Sequence, residues 1–352
     1  MSDIIKVGIS VGDLNGIGME LIIKTLSDNR MCQMCTPIVY GNAKAAAFYR
    51  KSVRMPEFNF NIIKQATEAK RNKPNLLNIS NEEIVLNPGK PSRETGKFAY
   101  DSLKAATEDL ANGLIDVLVT APIDKDSIQS KDFDFKGHTE FLTKYANADE
   151  SLMLMISENV KVATATNHLS LAEVAKSFTK ELIVKKTEIL LQSLQRDFGI
   201  QKPKVAVLGL NPHAGDNGTI GEEEKKIIIP AIEELKSKGH LVFGPYAADG
   251  FFGAGTYKQF DATLSCYHDQ GLVPYKLLSF GSGVNFTAGL PIVRTSPDHG
   301  VAYDIAGQNK AEPSSFRQAI YASIDIYNTR SKMKEWHANP LKINKEDRRS
   351  RN

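Results

Sequence analysis

The sequence is poor in cysteine. Its 352 residues include three cysteines, an odd and small number that excludes a disulfide framework. Cys32 and Cys35 form a CxxC pair, but a redox CxxC opens a helix, whereas this pair leads into the strand-like TPIVYG. The sequence has no second pair to complete a four-cysteine zinc site. The pair is therefore expected to be structural.

The sequence also lacks an excess of one charge and a long apolar run. Lys and Arg total 44 against 41 for Asp and Glu, so the net charge of +3 provides no general attraction to nucleic acid or to a membrane surface. No apolar stretch approaches the roughly 20 residues of a membrane span, and MSDIIKVGIS lacks the basic and apolar regions of a signal peptide. We expect a cytoplasmic protein without nucleic-acid or membrane partners.

Apolar periodicity predicts alternating strands and helices. The run IIKVGISV is followed by a glycine-containing turn and a helical segment, and TPIVYG repeats this order. Residues 92–113 predict a long helix with Gly113 as its C-cap. Further along, Glu222, Glu223 and Glu224 favour a helix N-terminus and are expected to form a cap and a solvated face. This alternation is typical of an α/β protein with a mostly parallel sheet, and 352 residues suffice for two lobes.

Two loops allow more than one interpretation. Gly12, Gly16 and Gly18 in the first turn match neither the GxGxxG of a dinucleotide fold nor the GK[ST] ending of a P-loop. They form either a strand-to-helix turn that requires small residues or a turn that faces a ligand. His299, in the loop PDHG, is either an ordinary turn residue or a cofactor contact.

Three histidines each follow the carboxyl end of an apolar run. They are His168 in KVATATNHLSL, His213 in KVAVLGLNPHAG and His268 in FDATLSCYHDQG. Ligands bind at that edge of open α/β sheets, so three loops could bring three imidazoles together. Three neutral imidazoles around a divalent metal leave positions for a substrate, which is a catalytic arrangement. Any one of these histidines alone would more often be a hydrogen-bonding loop residue.

Polar and cationic residues beside apolar runs indicate an anion site. His138 and Thr139 lie in KGHTEFL, where a turn opens a helix whose first amides favour an anion. Lys276, Asn285 and Arg294 each lie beside an apolar run. Taken singly, the two cations would be surface charges. Taken with the histidines, they favour a phosphorylated small substrate.

Several long blocks resemble one enzyme family. GDLNGIGME, GHTEFL, LNPHAGDNGTIGEEE, YHDQGLVPYK and VNFTAGLPIVRTSPDHGVAYDIAGQNKA are similar to the 4-hydroxythreonine-4-phosphate dehydrogenase family of vitamin B6 biosynthesis. The similarity covers nearly the whole chain. DHGVAYDIAGQNKAEP also resembles the cofactor loop of isocitrate and isopropylmalate dehydrogenases, whose fold this family shares. The resemblance implies a two-lobed isopropylmalate dehydrogenase-like fold with mixed, mostly parallel sheets flanked by helices. One lobe would comprise residues 1–128 plus 295–352 and the other 129–294, with the active-site cleft between them.

The resemblance also implies a metal-dependent oxidation by NAD. The substrate would be 4-phosphooxy-L-threonine, oxidised at C3 and decarboxylated to 3-amino-2-oxopropyl phosphate on the route to pyridoxal 5'-phosphate. The cofactor would be NAD, or NADP in its place. One divalent metal would occupy each active site, namely zinc or else magnesium, cobalt or manganese. The chain would form a homodimer whose active sites are shared across the interface.

The family's site residues have matching positions in this sequence. The metal would be held by three histidines, with the last of them donated across the dimer interface: His168, His213 and His268. The substrate would contact His138, Thr139, Lys276, Asn285 and Arg294. The catalytic candidates are Lys276 and Asp249. NAD would lie along the loop containing His299, Gly300 and Asp304, which explains why the sequence has no Rossmann glycine motif.

Two departures from the family pattern leave the substrate open. Leu14 and Asn15 stand where the family has Pro-Ala, and NHLSL around His168 replaces THVPL. Close relatives oxidise other four-carbon phosphates, so D-threonate or D-erythronate 4-phosphate is an alternative substrate. A zinc lyase of the class II aldolase type, which also uses three histidines, and a non-enzymatic metal-binding protein are further alternatives.

Overall fold

The computed structural model describes residues 4–338. The basic end KINKEDRRSRN, which the sequence predicts to be a frayed tail, lies outside this range. The strands of the described range are β1 Lys6–Ser10, β2 Thr36–Gly41, β3 Asn61–Ile63, β4 Asn75–Asn78, β5 Val117–Thr120, β6 Leu152–Ile156, β7 Lys161–Thr164, β8 Lys204–Leu208, β9 Leu241–Tyr246, β10 Ala262–Ser265, β11 Val284–Ala288 and β12 Arg294–Pro297. The helices are α1 Gly18–Leu26, α2 Asn29–Met34, α3 Ala43–Ser52, α4 Arg93–Ala111, α5 His138–Tyr145, α6 Leu171–Ser177, α7 Lys180–Phe198, α8 Ile229–Ser237, α9 Ala248–Gly253, α10 His268–Ser279 and α11 Ser314–Ala338.

The strands of the described range form one 12-stranded sheet with the order β3-β4-β2-β1-β5-β12-β11-β6-β7-β10-β8-β9. Neighbours are parallel from β3 to β12 and again from β7 to β9. Strand β11 is antiparallel to β12 and β6, and β6 is antiparallel to β7. The parallel strands of the two halves consequently run in opposite directions. The prediction of an α/β protein with a mostly parallel sheet is confirmed.

Helices cover this sheet because several of its strands contain apolar residues that are buried on both faces. In β5, which lies between β1 and β12, the consecutive residues Val117, Leu118 and Val119 are fully buried. Continuous apolar runs of this kind are typical of parallel strands that are covered on both faces. Helix α4 packs on β1, β2 and β5, and α11 packs on β5, β11 and β12. No helix within residues 4–338 combines the length and apolarity that crossing a membrane requires.

Helix α4 shows how local signals set the ends of an element. The side chain of Ser92 accepts a hydrogen bond from the backbone N–H of Thr95, which satisfies one free donor of the first turn. The helix ends just before Gly113, whose φ of 69° lies in the left-handed region. The predicted helix over residues 92–113 is confirmed.

Glu224 differs from its prediction. It opens the π-helical turn Glu224–Ile228 before α8, but it is only 2% exposed. Its Oε1 accepts a hydrogen bond from Asn211 N at 2.8 Å, and its Oε2 accepts one from Asn211 Nδ2 at 2.9 Å. The expectation of a solvated face is wrong for this residue, because its carboxylate holds the loop that carries His213.

The CxxC pair is buried in and directly after α2. Burial raises the pKa of Cys32 to about 11 and that of Cys35 to about 12. Both thiols therefore stay protonated near neutral pH, which makes them poor nucleophiles. This agrees with a structural role.

Candidate active site

A cavity of about 340 Å³ is lined by strands β5, β6, β11 and β12 and by helices α5 and α10. These strands are neighbours at the middle of the sheet, where the parallel order gives way to the antiparallel β11 and β6. The loop after β5 adds Lys125, the loop after β7 adds His168, and the loop after β12 adds His299 and Gly300. Residues from three separate stretches of the chain, 120–168, 268–285 and 294–300, thus converge on one place.

Most of the residues predicted for the site line this cavity. They are His138, Thr139, His168, His268, Lys276, Asn285, Arg294, His299 and Gly300. The lining does not include His213, which lies in the turn segment Pro212–Gly218, or the exposed Asp249 of α9 and Asp304. A wider hollow of about 920 Å³ between α7 and α11 contains none of the predicted site residues in its described lining.

Arg294 is a buried cation without an ion-pair partner among residues 4–338. The residue is 2% exposed, and within that range its guanidinium donates only to threonine hydroxyls. Nε and Nη2 donate to Thr120 Oγ1 at 3.1 and 2.6 Å, and Nη1 donates to Thr287 Oγ1 at 3.1 Å. Within residues 4–338 it forms no ion pair, and burial lowers its pKa to about 9. A guanidinium in this state favours a bound phosphate or carboxylate.

Three other lining residues have buried polar atoms without a hydrogen-bond partner in the described structure. They are His138 Nε2, Asn285 Oδ1 and His299 Nε2. Burial, and next the charges of Arg294 and Lys125, lower the pKa of His138 well below its usual value, so its ring is neutral. Buried polar groups of folded proteins are normally hydrogen-bonded. Unsatisfied atoms of this kind around one cavity indicate that a polar ligand completes them.

Two of the three predicted metal ligands are neighbours. The ring centres of His168 and His268 are 6.2 Å apart, because β7 and β10 are adjacent strands whose ends carry them. His213 follows β8, on the far side of β10 from β7. Within residues 4–338 of one chain, no group of three or more His, Cys, Asp or Glu side chains is placed to hold a metal ion.

Sequence reasoning missed two residues of the cavity. Lys125 Nζ lies 3.2 Å from His168 Nε2, and Glu140 Oε1 lies 3.8 Å from His168 Nδ1. The interaction of Glu140 with His168 lowers the pKa of the Glu140 carboxyl group, which therefore stays ionised near neutral pH. Lys125 had a usable signal, since it lies in the loop at the carboxyl end of a buried strand. Glu140 lies in the same helical turn as His138, but that spacing alone does not distinguish it from a solvated residue.

The fold and the cavity together define an α/β enzyme whose site accepts a small anionic substrate beside a pair of imidazoles. A family model described as pyridoxal phosphate biosynthetic protein PdxA matches residues 33–323. The chain belongs to this family, as the sequence blocks predicted.

Individual relatives agree with this assignment. The 4-hydroxythreonine-4-phosphate dehydrogenase of Bacteroides thetaiotaomicron is 50% identical over 339 residues, which cover 96% of this chain and 93% of the relative. A provisionally named D-threonate 4-phosphate dehydrogenase of Clostridium botulinum is 35% identical, with 89% of this chain and 94% of the relative covered. The solved structure of the 4-hydroxythreonine-4-phosphate dehydrogenase of Klebsiella pneumoniae matches with a TM-score of 0.80 at 33% identity, over 93% of this chain and 98% of that one.

Proposed function

We propose that this protein oxidises 4-phosphooxy-L-threonine at C3 with NAD and a divalent metal, and that decarboxylation yields 3-amino-2-oxopropyl phosphate for pyridoxal 5'-phosphate biosynthesis. The observation that carries this proposal is the buried, unpaired Arg294 in a cavity with unsatisfied polar atoms. The identity of 50% to a relative named for this activity supports the same substrate class.

We further propose that the chain has two lobes, one formed by residues 1–128 plus 295–352 and the other by residues 129–294. We also propose that the protein is cytoplasmic.

The substrate's phosphate is proposed to bind Arg294, together with Lys276, His138 and Thr139. Arg294 presents a planar fork of donors, which suits bidentate binding of a phosphate, and Lys276 adds a second positive charge from α10. The neutral ring of His138 hydrogen-bonds without adding charge. Asn285 completes the contacts. Lys276 and Asp249 remain the proposed catalytic groups.

A divalent ion fits beside His168 and His268. Imidazole nitrogens bind zinc at about 2.0–2.1 Å, so two rings whose centres lie 6.2 Å apart can share one ion. When bound, the ion would make the substrate hydroxyl more acidic and would polarise the ketone that results. Zinc, or else magnesium, cobalt or manganese, is proposed. One chain does not bring His213 to this pair, so we propose that His213 of a second copy is the third ligand.

Exposed apolar side chains support a homodimer at this place. Val273 and Leu277 lie one turn apart on α10, which begins at His268, and Phe280 directly follows the helix; they are 57%, 66% and 86% exposed. Leu171, three residues after His168, is 72% exposed. The segment Pro212–Gly218 packs against α9, so a partner that supplies His213 would bring Asp249 as well.

NAD is proposed to lie along His299, Gly300 and Asp304, with the nicotinamide ring accepting the hydride. Asp304 is exposed in this loop. A carboxylate there can accept a hydrogen bond from the ribose 2'-hydroxyl of NAD, and it repels the 2'-phosphate of NADP.

Asp304→Asn is therefore expected to lower the ratio of kcat/KM for NAD over NADP about tenfold, because the repulsive charge is removed. Initial rates of nicotinamide reduction with each cofactor measure this ratio. Glu312→Gln, which removes another exposed carboxylate from the same region, is the matched control and should leave the ratio unchanged. Equal ratios in wild type and Asp304→Asn would contradict the proposed role of Asp304.

One spectrophotometric assay tests the proposed activity. NADH formation should appear with 4-phosphooxy-L-threonine, should stop when a chelator removes the metal, and should return when metal is restored. A class II aldolase-type lyase or a non-enzymatic metal-binding protein would form no NADH with any substrate. Absence of NADH from metal-loaded protein would therefore overturn the proposal.

D-threonate 4-phosphate is the second candidate substrate, and D-erythronate 4-phosphate is a third. The relative from Clostridium botulinum and the departures Leu169 and Ser170 after His168 favour it. The ionised carboxylate of Glu140 in the cavity favours the ammonium group of 4-phosphooxy-L-threonine instead. Comparison of kcat/KM for the three phosphates separates these candidates.

A further inference from the structure

An ion pair on α1, formed by the buried Glu20 and the partly buried Lys24, binds the proposed cofactor segment, residues 299–311. Glu20 is fully buried, and its Oε1 accepts hydrogen bonds from Lys24 Nζ at 2.8 Å and from the backbone N–H of Ala311 at 2.9 Å. Lys24 Nζ also donates to the backbone oxygens of Ala311 at 2.8 Å and of Asn309 at 3.2 Å. Two charged side chains one helical turn apart thus bind both the N–H and the C=O groups of one end of the segment.

The turn before α1 binds the other end of the cofactor segment. The backbone N–H of Ile17 donates to Val301 O at 3.1 Å, and Tyr303 Oη donates to the buried carboxylate of Asp13 at 3.0 Å. A Cβ on Gly16 would lie 2.9 Å from Val301 O, so a side chain there would push the segment away. The first glycine turn therefore supports this segment.

The cofactor segment depends on such supports because it contains no helix or strand. It lies between the end of β12 at Pro297 and the start of α11 at Ser314. Ala302 and Asn309 have positive φ values of 46° and 59°, a region that residues other than glycine rarely adopt. Its own backbone hydrogen bonds in the described structure are turn bonds, which Ile305, Ala306 and Gln308 donate to residues three positions earlier. Because these bonds fix single turns only, contacts from outside help to select one conformation of the whole segment.

The Glu20–Lys24 pair is poorly explained as a source of stability. Buried ion pairs contribute little net stability relative to apolar residues of similar size, and Glu20 Oε2 has no hydrogen-bond partner in the described structure. We propose that Glu20 and Lys24 are positioning residues, which hold residues 299–311 in the conformation that binds the dinucleotide cofactor. This inference rests on the proposed NAD-dependent function.

The test compares two buried ion pairs. Glu20→Gln removes the charge that holds Lys24, and Asp197→Asn weakens a matched pair in which the fully buried Asp197 contacts Arg196 and Arg330 at 2.7 Å on α7 and α11. NADH binding to the metal-loaded full chain is measured by fluorescence titration. Glu20→Gln should raise the Kd about tenfold, since the fraction of molecules with a binding-competent segment falls to about a tenth. Asp197→Asn should lower the melting temperature but leave the Kd within about twofold of wild type.

Two further measurements separate positioning from general loss of structure. Amide hydrogen exchange within residues 299–311 should become faster in Glu20→Gln and stay unchanged in Asp197→Asn. The KM for the phosphorylated substrate should not change in either variant.

A second pair of variants replaces the lysine. Lys24→Met, which removes the donors to residues 309 and 311, should raise the Kd for NADH as Glu20→Gln does, and Lys24→Arg should keep it near the wild-type value. This second pair of variants also serves if Glu20→Gln does not fold.

The outcomes distinguish the inference from the function on which it rests. If wild type binds NADH and both Glu20→Gln and Lys24→Met bind it equally well, the positioning role is wrong while the proposed function stands. If folded, metal-loaded wild type does not bind NADH, both are wrong. If amide hydrogen exchange in Glu20→Gln becomes faster over the whole chain, the pair stabilises the fold in general and does not position residues 299–311. That result would also overturn the inference.

Discussion

Arg294→Met should lower kcat/KM for the phosphorylated substrate about a thousandfold, because an anion in the cavity would lose its buried cationic partner. The same change should leave the melting temperature unchanged or higher. Arg294 is 2% exposed and forms no ion pair within residues 4–338. The charge of Glu140 offsets only part of the cost of burying the guanidinium, since the pKa of Arg294 remains lowered to about 9. Steady-state kinetics and thermal denaturation measure the two effects.

Arg330→Met is the matched control for this prediction. Arg330 is also a largely buried arginine, with its side chain 13% exposed, but its Nε lies 2.7 Å from Asp197 Oδ1. Its replacement should therefore destabilise the protein by about 1–3 kcal/mol, since a buried carboxylate loses a charged hydrogen-bond partner. It should leave the substrate KM unchanged. If Arg294→Met shows the pattern expected of Arg330→Met, the anion binds elsewhere.

His213→Ala and His168→Ala should each abolish turnover and metal binding, yet a mixture of the two inactive proteins should regain activity. If His168 and His268 come from one chain and His213 from its partner, a mixed dimer contains one intact site and one doubly altered site. Random exchange of subunits should then restore about a quarter of the wild-type activity and bound metal. Metal analysis and NADH formation before and after co-refolding measure this recovery.

His168→Ala mixed with His268→Ala is the control. Both histidines lie on the same chain in the proposed arrangement, so no mixed dimer contains an intact site and activity should stay absent. The family resemblance by itself implies a different division, in which the last histidine crosses the interface. Recovery in this second mixture, without recovery in the first, would support that division and contradict the one proposed from the 6.2 Å spacing of the His168 and His268 rings.

Local patterns predicted much of the fold. The helix over residues 92–113 was predictable because its N-cap Ser92 and its terminal Gly113 act within one turn of the chain. The mostly parallel sheet followed from apolar runs that alternate with helical periodicity. The antiparallel β11 and β6 in the middle of the sheet were not predictable, since strand direction depends on pairing between distant segments.

Some residues of the candidate site were likewise predictable from sequence and others were not. Residue type and local position sufficed to select three residues for one cavity, namely His138 in a turn that opens a helix, and Lys276 and Arg294 beside apolar runs. Lys125 was missed although its position after a buried strand gave a usable signal, whereas nothing local to Glu140 indicates its contact with His168. The predictions of the substrate and of the cofactor came from the resemblance to the family, not from the spacing of residues.

Sequence alone established the α/β alternation through short-range periodicity, the family through its resemblance in several long blocks, and most of the polar groups of the cavity through residue type. Tertiary structure was needed to show that Arg294 is buried without an ion-pair partner in the described part of the chain, that Glu224 is not solvated and that His213 lies apart from the other two histidines. It was also needed to join Glu20 to Ala311 across a separation of 291 residues. The burial of a residue and the identity of its hydrogen-bond or ion-pair partners depend on contacts between distant segments, and the sequence pattern alone does not show which segments are in contact.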